Sequence, residues 1–360
     1  MKLTANIKLI PSKEQYQLLK DTLETSNQAC NWISEIAFKT KTFGQFALHG
    51  PTYHEIKNKF HLSAQMAVRS IAKVADSYKI DKKVQHVFKP HSAQPFDKRI
   101  FRLCKDDSVS IWTLEGRQKI PFQCGEYQRR LMERQHGEVE LLFVQGIFYV
   151  ATVCDIDEDS MINPQDVLGI DLGVVNIATS SDGKFYSGER IDEYRRKMSH
   201  RRKNLQKKGT KAAKRKLKDI SGKQARFQKN TNHCISKAIV ADAKRSFCAI
   251  ALENLQGIRG RIKATRRGRA RLHNWAFYQL RTFIAYKARL AGIPLVLVDP
   301  KNTSRECPVC HHISKSNRKS QAIFSCQSCG FSQSADYVAS LNIRERARVN
   351  WPMVAPAFSG

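Results

Sequence analysis

Residues 303–343 read TSRECPVCHHISKSNRKSQAIFSCQSCGFSQSADYVASLNI. Two Cys-x-x-Cys pairs, Cys307/Cys310 and Cys326/Cys329, are fifteen residues apart. A Cys-x-x-Cys turn directs two thiolates at one ion, and two such turns at this spacing predict a closed tetrahedral zinc site of the ribbon type. Pro308 and Gly330 suit tight ligand-bearing turns. Four buried or redox-active thiols are the competing reading. His311 and His312 follow the first pair, but four thiolates already fill the shell and leave no open position for catalysis. Seven residues past the last cysteine stands a carboxylate, Asp336, at the start of a stretch with helical spacing (Ala335, Val338, Ala339, Leu341).

Working upstream, two more acids sit in comparable surroundings. Val167–Thr179 (VLGIDLGVVNIAT) reads as one nearly continuous apolar strand interrupted by Asp171 and Gly173. Cys248–Leu255 (CAIALENL) reads as a second buried strand closed by Glu253, and Ile293–Val298 as a third. Ionised side chains are rarely buried unless paired or metal-bound. Three acids on one α/β framework could hold two Mg2+ (or Mn2+) ions about 4 Å apart, the arrangement that activates water and stabilises the leaving oxygen in phosphodiester cleavage. Each acid alone is weak evidence. Asp182-Gly183 signals a turn, with Phe185–Ser187 returning.

Charge points the same way. The 360 residues hold 62 Lys+Arg against 32 Asp+Glu, a net of +30, which calls for a polyanionic partner; nucleic acid is the first candidate and an anionic membrane the second. Residues 195–229 carry sixteen Lys/Arg and one acid, Asp219; residues 259–271 carry seven and no acid. The first run predicts long basic helices forming a hairpin, the alternative being a solvated charged pair. No apolar run approaches the ~20 residues that span a bilayer. The N-terminus shows no secretory apolar region, so a cytoplasmic protein is expected, prokaryotic and nucleoid-associated when on DNA. No Gly-x-x-x-x-Gly-Lys-Ser/Thr loop and no Ser-His-Asp arrangement stands out. Cys30, Cys104, Cys124, Cys154, Cys234 and Cys248 lack paired spacing and are expected in cores.

The first half divides by period. Residues 2–10 alternate as a strand, and Ser12 caps a helix over 13–40. A loop over 43–51 and helices near 52–60 and 63–86 are expected next. From about 86 to 155 the period is two, predicting a small β-barrel of strands near 98–103, 108–114, 119–122, 139–143 and 147–153, which residues 2–10 join across the helical insertion. Residues 155–165 form an acidic linker, and a helix is expected over 275–290.

GIDLGVVNIAT (169–179), LENL (252–255) and CPVC…CQSC…ADYVASLNI (307–343) resemble the three RuvC-type segments and zinc finger of TnpB, the transposon-encoded relatives of compact type V CRISPR nucleases. AYKARLAGIPLVLVDPKNTSREC (285–307) is similar to the stretch before the finger, and IKLIPSKEQ more loosely to the family N-terminus. The resemblance implies a multidomain α/β protein. Residues 166–302 with 331–348 would be an RNase H-like RuvC nuclease domain and 303–330 its inserted zinc finger. Residues 1–10 with 86–160 would be a wedge-like β-barrel, 11–85 an inserted helical recognition lobe, and 349–360 a disordered tail. It implies an RNA-guided, Mg2+-dependent DNA endonuclease with Asp171, Glu253 and Asp336 as catalytic, metal-binding carboxylates. Zn2+ would sit on Cys307, Cys310, Cys326 and Cys329. The partners would be a guide RNA from the transposon end and double-stranded target DNA, and the protein a monomer. Many relatives have Asp-x-Asn-Ala-Ala where this chain has Asp336-Tyr-Val-Ala-Ser, so Val338 replaces the frequent Asn. The expected nucleic-acid contacts are Tyr53, Lys57, Gln65 and Arg69 on the helices, and Arg195, Arg196, Arg201, Arg202, Lys203, Lys207, Lys208, Arg259, Arg261, Arg266 and Arg267 on the basic runs. The alternative is a guided or unguided binding protein, a repressor or transposase accessory, that does not cleave. A strand-transferring transposase is a third reading, and no nucleophilic tyrosine context supports it.

Overall fold

The computed structural model describes residues 1–173, 175–255 and 277–350, in two compact units, Met1–Asp157 and Glu158–Gly360. In the first unit, β1 (Lys2–Leu9) leads into α1 (Lys13–Thr40), α2 (Gln45–Phe60) and α3 (Ala64–Ile80). Strands β2 (Gln94–Phe96), β3 (Phe101–Leu103), β4 (Ser108–Thr113) and β5 (Gly116–Gln123) follow, then α4 (Glu126–Met132), β6 (Gln135–Val144) and β7 (Ile147–Asp155). The sheet order is β2-β6-β7-β1-β5-β4-β3. Its edge strands, β2 and β3, are consecutive in the chain and joined by residues 97–100, so the sheet curls into a nearly closed barrel. β1 lies between β7 and β5, on the far side of the helical insertion, as its alternation leads one to expect.

Helix α1 starts with a full capping box, Ser12 with Gln15, that satisfies donors the first turn leaves open. Helices and barrel share one core: Leu19, Leu23 and Ile33 of α1 and Ile71, Val74 and Tyr78 of α3 cluster with Ile7, Phe96, Phe148 and Val150. The expected loop over 43–51 is largely wrong, since α2 already begins at Gln45 and runs through Pro51. Leu48, Thr52 and Ile56, spaced four apart and fully buried, bind that face to the core, and the Thr52 hydroxyl donates to the Leu48 carbonyl. This burial outweighs the helix-breaking tendency of an interior proline. Helix α3 ends at Ile80 rather than near 86, where the Asp81 carboxylate accepts from the Lys83 amide and turns the chain. The short helix α4 was not anticipated.

The second unit begins with β8 (Asp166–Asp171), β9 (Asn176–Ser180) and β10 (Phe185–Ser187). The single apolar strand expected over 167–179 is thus a hairpin, with Asp171 opposite Thr179. A Cβ at Gly173 would come within 2.7 Å of the Asn176 carbonyl oxygen, so a side-chain-free residue makes the turn possible. Helices α5 (Glu189–Lys208), α6 (Lys211–Ile220) and α7 (Lys223–Arg245) follow. The basic run is three helices rather than a two-helix hairpin, because Gly209 and Gly222 adopt positive φ (65° and 74°) and break it twice. Tyr194 stacks on Phe227 at 4.4 Å and ties α5 to α7.

Strand β11 (Cys248–Glu253) is followed by α8 (Phe277–Leu290) and β12 (Leu295–Val298). Next come β13 (Ile323–Ser325) and β14 (Ser332–Ser334), a small hairpin, and finally α9 (Ala335–Asn350). The five-stranded sheet has the order β10-β9-β8-β11-β12, with β8, β11 and β12 parallel. Parallel strands covered by helices read as near-continuous apolar runs, as these three do in the sequence. Helix α9 lies directly on β8. A Cβ at Gly169 would meet the Ser340 carbonyl oxygen at 2.2 Å and the Arg344 nitrogen at 2.6 Å. Residues 259–271, Trp275 and the tail beyond residue 350 lie outside the described residues; Val349, placed in the expected tail, is helical.

Candidate functional site

The sheet register brings two of the three acids together. Ile170 of β8 pairs with Leu252 of β11 in a parallel ladder. The next residues, Asp171 and Glu253, therefore emerge side by side at the C-terminal end of adjacent strands. Open α/β sheets bind ligands at this end. The third acid arrives from above, because the close approach of α9 to β8 through Gly169 carries Asp336, in the first turn of α9, over the same edge.

The ionisation of Asp171 is set by burial and by the other two acids. Burial pushes the Asp171 carboxyl well above the usual range, the negative charges of Glu253 and Asp336 push it further, and the Arg318 guanidinium partly offsets them. Burial also raises Glu253, against the Thr303 hydroxyl, Arg346 and Arg318. A cluster of half-buried acids suits a cation: the donors are all hard carboxylate oxygens, and a divalent ion would add to the compensation that Arg318 and Arg346 supply only in part. The donor atoms are not drawn tightly together, for among the described residues the cysteine cluster is the group of metal-ligating side chains within 4.8 Å of one another.

Uncharged groups grip two of the acids. The Thr303 hydroxyl donates to Glu253 Oε1, and Asn176 Nδ2 donates to Asp336 Oδ2 at 2.9 Å. Arg318, Thr303 and Asn176 were not singled out from sequence. Thr303 and Asn176 lie inside stretches quoted above, but only the folded register shows what they face. Val338, the departure from the frequent Asn, is fully buried with Cys307, Phe324, Cys326 and Ala335. Its side chain belongs to the cysteine module, while the amide reaching Asp336 comes from β9.

That module gathers Cys307, Cys310, Cys326 and Cys329 with all four sulfurs within 4.8 Å of one another. Cys307 Sγ lies 3.6 Å from Cys329 Sγ, and Cys310 Sγ 3.5 Å from Cys326 Sγ. A tetrahedral ion with Zn–S bonds of about 2.3 Å requires sulfurs roughly 3.8 Å apart, so the cradle fits zinc. Backbone amides of Cys329 and Ser328 help hold the Cys326 thiol down to about 6, while the crowded sulfurs push Cys329 up; a cation among them would favour the thiolate on both. Of the six other cysteines, Cys30, Cys154 and Cys248 are buried, whereas Cys234 is exposed on α7, contrary to a core role.

The remaining candidates are dispersed. Tyr53 stacks on His49 at 4.6 Å, with Lys57 Nζ 5.7 Å from its ring. Gln65 donates to Asp97 and Arg69 to Glu138, so both bridge α3 to the barrel instead of standing free. Arg195 pairs with Asp192 at 2.9 Å, and Arg202 donates to Gln224. Arg196, Arg201, Arg202, Lys203, Lys207 and Lys208 are exposed along α5. Arg259, Arg261, Arg266 and Arg267 lie outside the described residues. Among the described residues, no helix is long and apolar enough to cross a membrane.

With this geometry in hand, comparison with known proteins gives a consistent answer. Residues 152–256 match the family described as OrfB_IS605, probable transposase, and residues 277–343 the Cas12f1-like TNB domain. The chain is 33% identical over 230 residues to the CRISPR-associated endodeoxyribonuclease Cas12f1 of Syntrophomonas palmitatica, covering 56% of this chain and 45% of that protein. It is 33% identical over 238 residues to the Cas12f1 of Sulfoacidibacillus thermotolerans, covering 61% and 54%. The chain thus spans about half the length of these relatives. It is 29% identical over 253 residues to a TnpB-like protein of Methanocaldococcus jannaschii, covering 64% and 86%. Among solved structures, it resembles a Cas12f1–sgRNA–target DNA complex (TM-score 0.60, 18% identity, 91% and 81% covered). It also resembles the mini-RNA-guided endonuclease CRISPR-Cas_phi3 (TM-score 0.61, 12% identity, 99% and 94% covered). At these identities the structural likeness speaks for the fold alone. The chain is thus similar to TnpB-like and Cas12f1 proteins, with its OrfB_IS605 match over residues 152–256 followed by its Cas12f1-like TNB match over residues 277–343.

Proposed function

We propose that the protein is an RNA-guided DNA endonuclease of a transposable element, hydrolysing phosphodiester bonds of target DNA beside a short recognition motif. The observation that carries this reading is the meeting of Asp171, Glu253 and Asp336 at the C-terminal ends of β8 and β11, where the negative charges of Glu253 and Asp336 bear on the buried Asp171. The named activity of the Cas12f1 relatives supports it. On this reading residues 166–302 and 331–348 form an RNase H-like RuvC domain and 303–330 a zinc finger. Residues 1–10 with 86–160 form the wedge-like barrel and 11–85 the recognition lobe.

In the mechanism, Asp171, Glu253 and Asp336 are the residues that would hold divalent cations, Mg2+ or Mn2+, at the ends of these strands. When bound, such cations lower the pKa of water and stabilise the charge on the leaving oxygen. The protein's own groups do the rest. Asp171 and Glu253 fix two ligand directions from rigid neighbouring strands, and Asp336 supplies a third from the helix above. The Arg318 guanidinium adds positive charge beside Asp171 and Glu253, where a phosphate group would sit. Cys307, Cys310, Cys326 and Cys329 would hold zinc, and the module they close packs against Ala335 and Val338 of the helix that carries Asp336.

The exposed cations of α5 suit an RNA scaffold and a heteroduplex held by backbone and shape rather than by sequence. The protein would be purified after expression with its native flanking DNA, and the RNA that accompanies it sequenced. One dominant RNA with a constant 5′ part and a 3′ end running into flanking sequence is expected. Heterogeneous cellular RNA, or none, would leave an unguided nuclease or a DNA-binding protein.

A further inference from the structure

Thr303 and Asn176 each hold one oxygen of a carboxylate, Glu253 Oε1 and Asp336 Oδ2, and among the described residues no hydrogen bond holds the other oxygen. We infer that they are positioning residues, orienting Glu253 and Asp336 toward the cations; this rests on the metal-dependent nuclease reading. Thr303 is only 2% exposed, so water does not compete for its hydroxyl. That hydroxyl has one proton and two acceptors in reach, Glu253 Oε1 and the Pro300 carbonyl at 3.1 Å. The contact to Glu253 is the shorter of the two, so the proton goes to Glu253. The Asn176 amide is equally constrained: turned round, it would set oxygen against the oxygen of Asp336.

The neutrality of both donors matters. A lysine or arginine in either place would satisfy the carboxylate charge and compete with a cation for it. A hydroxyl and an amide fix orientation and leave the negative charge available. Groups behind metal ligands commonly act this way, and losing one costs about 10–100-fold in metal affinity.

The support extends one step further. Asn342 of α9, 4% exposed, donates to the Thr303 carbonyl at 2.7 Å and to the Glu306 carbonyl at 2.8 Å. The helix that presents Asp336 therefore also anchors the loop whose hydroxyl orients Glu253. That loop runs directly into Cys307. The two grips are thus parts of one frame joining β9, α9 and the entry to the cysteine module.

The test uses the full-length chain with Thr303→Val, Thr303→Ser and Asn176→Ala. Mn2+ binding to nucleic-acid-free protein is followed by electron paramagnetic resonance, and guided cleavage is measured across Mg2+ concentrations. Thr303→Val should weaken Mn2+ binding and raise the Mg2+ needed for half-maximal cleavage about tenfold, with melting temperature kept. Thr303→Ser, which restores the hydroxyl, should return both toward the parent. Should Thr303→Val fail to fold, Asn176→Ala carries the same expectation from a partly exposed position. Parental Mn2+ and Mg2+ responses in Thr303→Val and Asn176→Ala overturn the positioning role while leaving the nuclease reading intact. A parent that binds Mn2+ but does not cleave defeats the nuclease reading, and the binding arm still decides the positioning role. A parent that neither binds Mn2+ nor cleaves defeats both.

Discussion

Asp166 and Asp171 stand at the two ends of β8 and ionise in opposite senses. Burial works against Asp166, but hydrogen bonds from Arg348 and Arg344 prevail and hold its carboxyl down at about 2. A depressed carboxylate contributes stability that is fully present above its unfolded value near 4 and is lost as pH falls through its folded value. The pair of guanidiniums is partly exposed, so screening limits that contribution to about 1 kcal/mol. Asp166→Asn should therefore lower the melting temperature at pH 7, with the difference shrinking as pH falls from about 4 through about 2. Asp171 is the reverse case: its raised carboxyl makes the ionised form a burden on the folded state above pH 4. In metal-free protein Asp171→Asn should raise the melting temperature by a few degrees while abolishing cleavage, the trade expected of a site built for a cation. Asp171 was legible in the sequence because an acid inside an apolar strand is costly. The Asp166 clamp was not, because its arginines lie 178 and 182 residues away.

At the scale of elements, the site depends on how closely α9 can lie on β8. Gly169 has no φ that demands glycine; what it provides is space, since a Cβ would strike backbone atoms of Ser340 and Arg344 that cannot rotate aside. Gly169→Ala should cost about 1–3 kcal/mol by overpacking and should reduce cleavage by shifting Asp336 from the strand ends. Thermal unfolding measured alongside Mg2+-dependent cleavage checks both effects. The cysteine module holds the same helix from its other side, through Ala335 and Val338 packed on Cys307 and Cys326. Chelating zinc, or substituting Cys326→Ser, should unfold the module, loosen the first turn of α9 and remove cleavage even with Mg2+ in excess; about one zinc per chain is expected in the parent. The cysteine spacing and the apolar runs made these elements legible. Their edges were less so: Gly209 and Gly222 stand out in the sequence as interruptions of the basic run, but the turn at Gly173 and the early start of α2 are decided by tertiary packing or by local φ. A hydrophobic pattern records neither.

At the scale of the whole molecule, charge and topology divide the work. A net charge of +30 is a large self-repulsion that a polyanion relieves. The exposed cations of α5 sit in the same unit as the carboxylates. The alternation of residues 2–10 with later strands announced a barrel with helices inserted, since strands separated by seventy residues of helical spacing can still pair. Which surface residues meet nucleic acid was far less legible. Gln65 and Arg69 look free as a sequence stripe, yet in the folded unit they are bound to Asp97 and Glu138. The central claim, that three carboxylates from β8, β11 and α9 form one cleavage centre, is tested most directly by plasmid linearisation. The protein, loaded with its co-purified RNA reprogrammed to a plasmid target, is compared with its Asp171→Ala variant in Mg2+. The account predicts target-dependent linear product from the parent and none from Asp171→Ala, with RNA binding retained by both. Undiminished cleavage by Asp171→Ala, or none by the RNA-loaded parent, would contradict it.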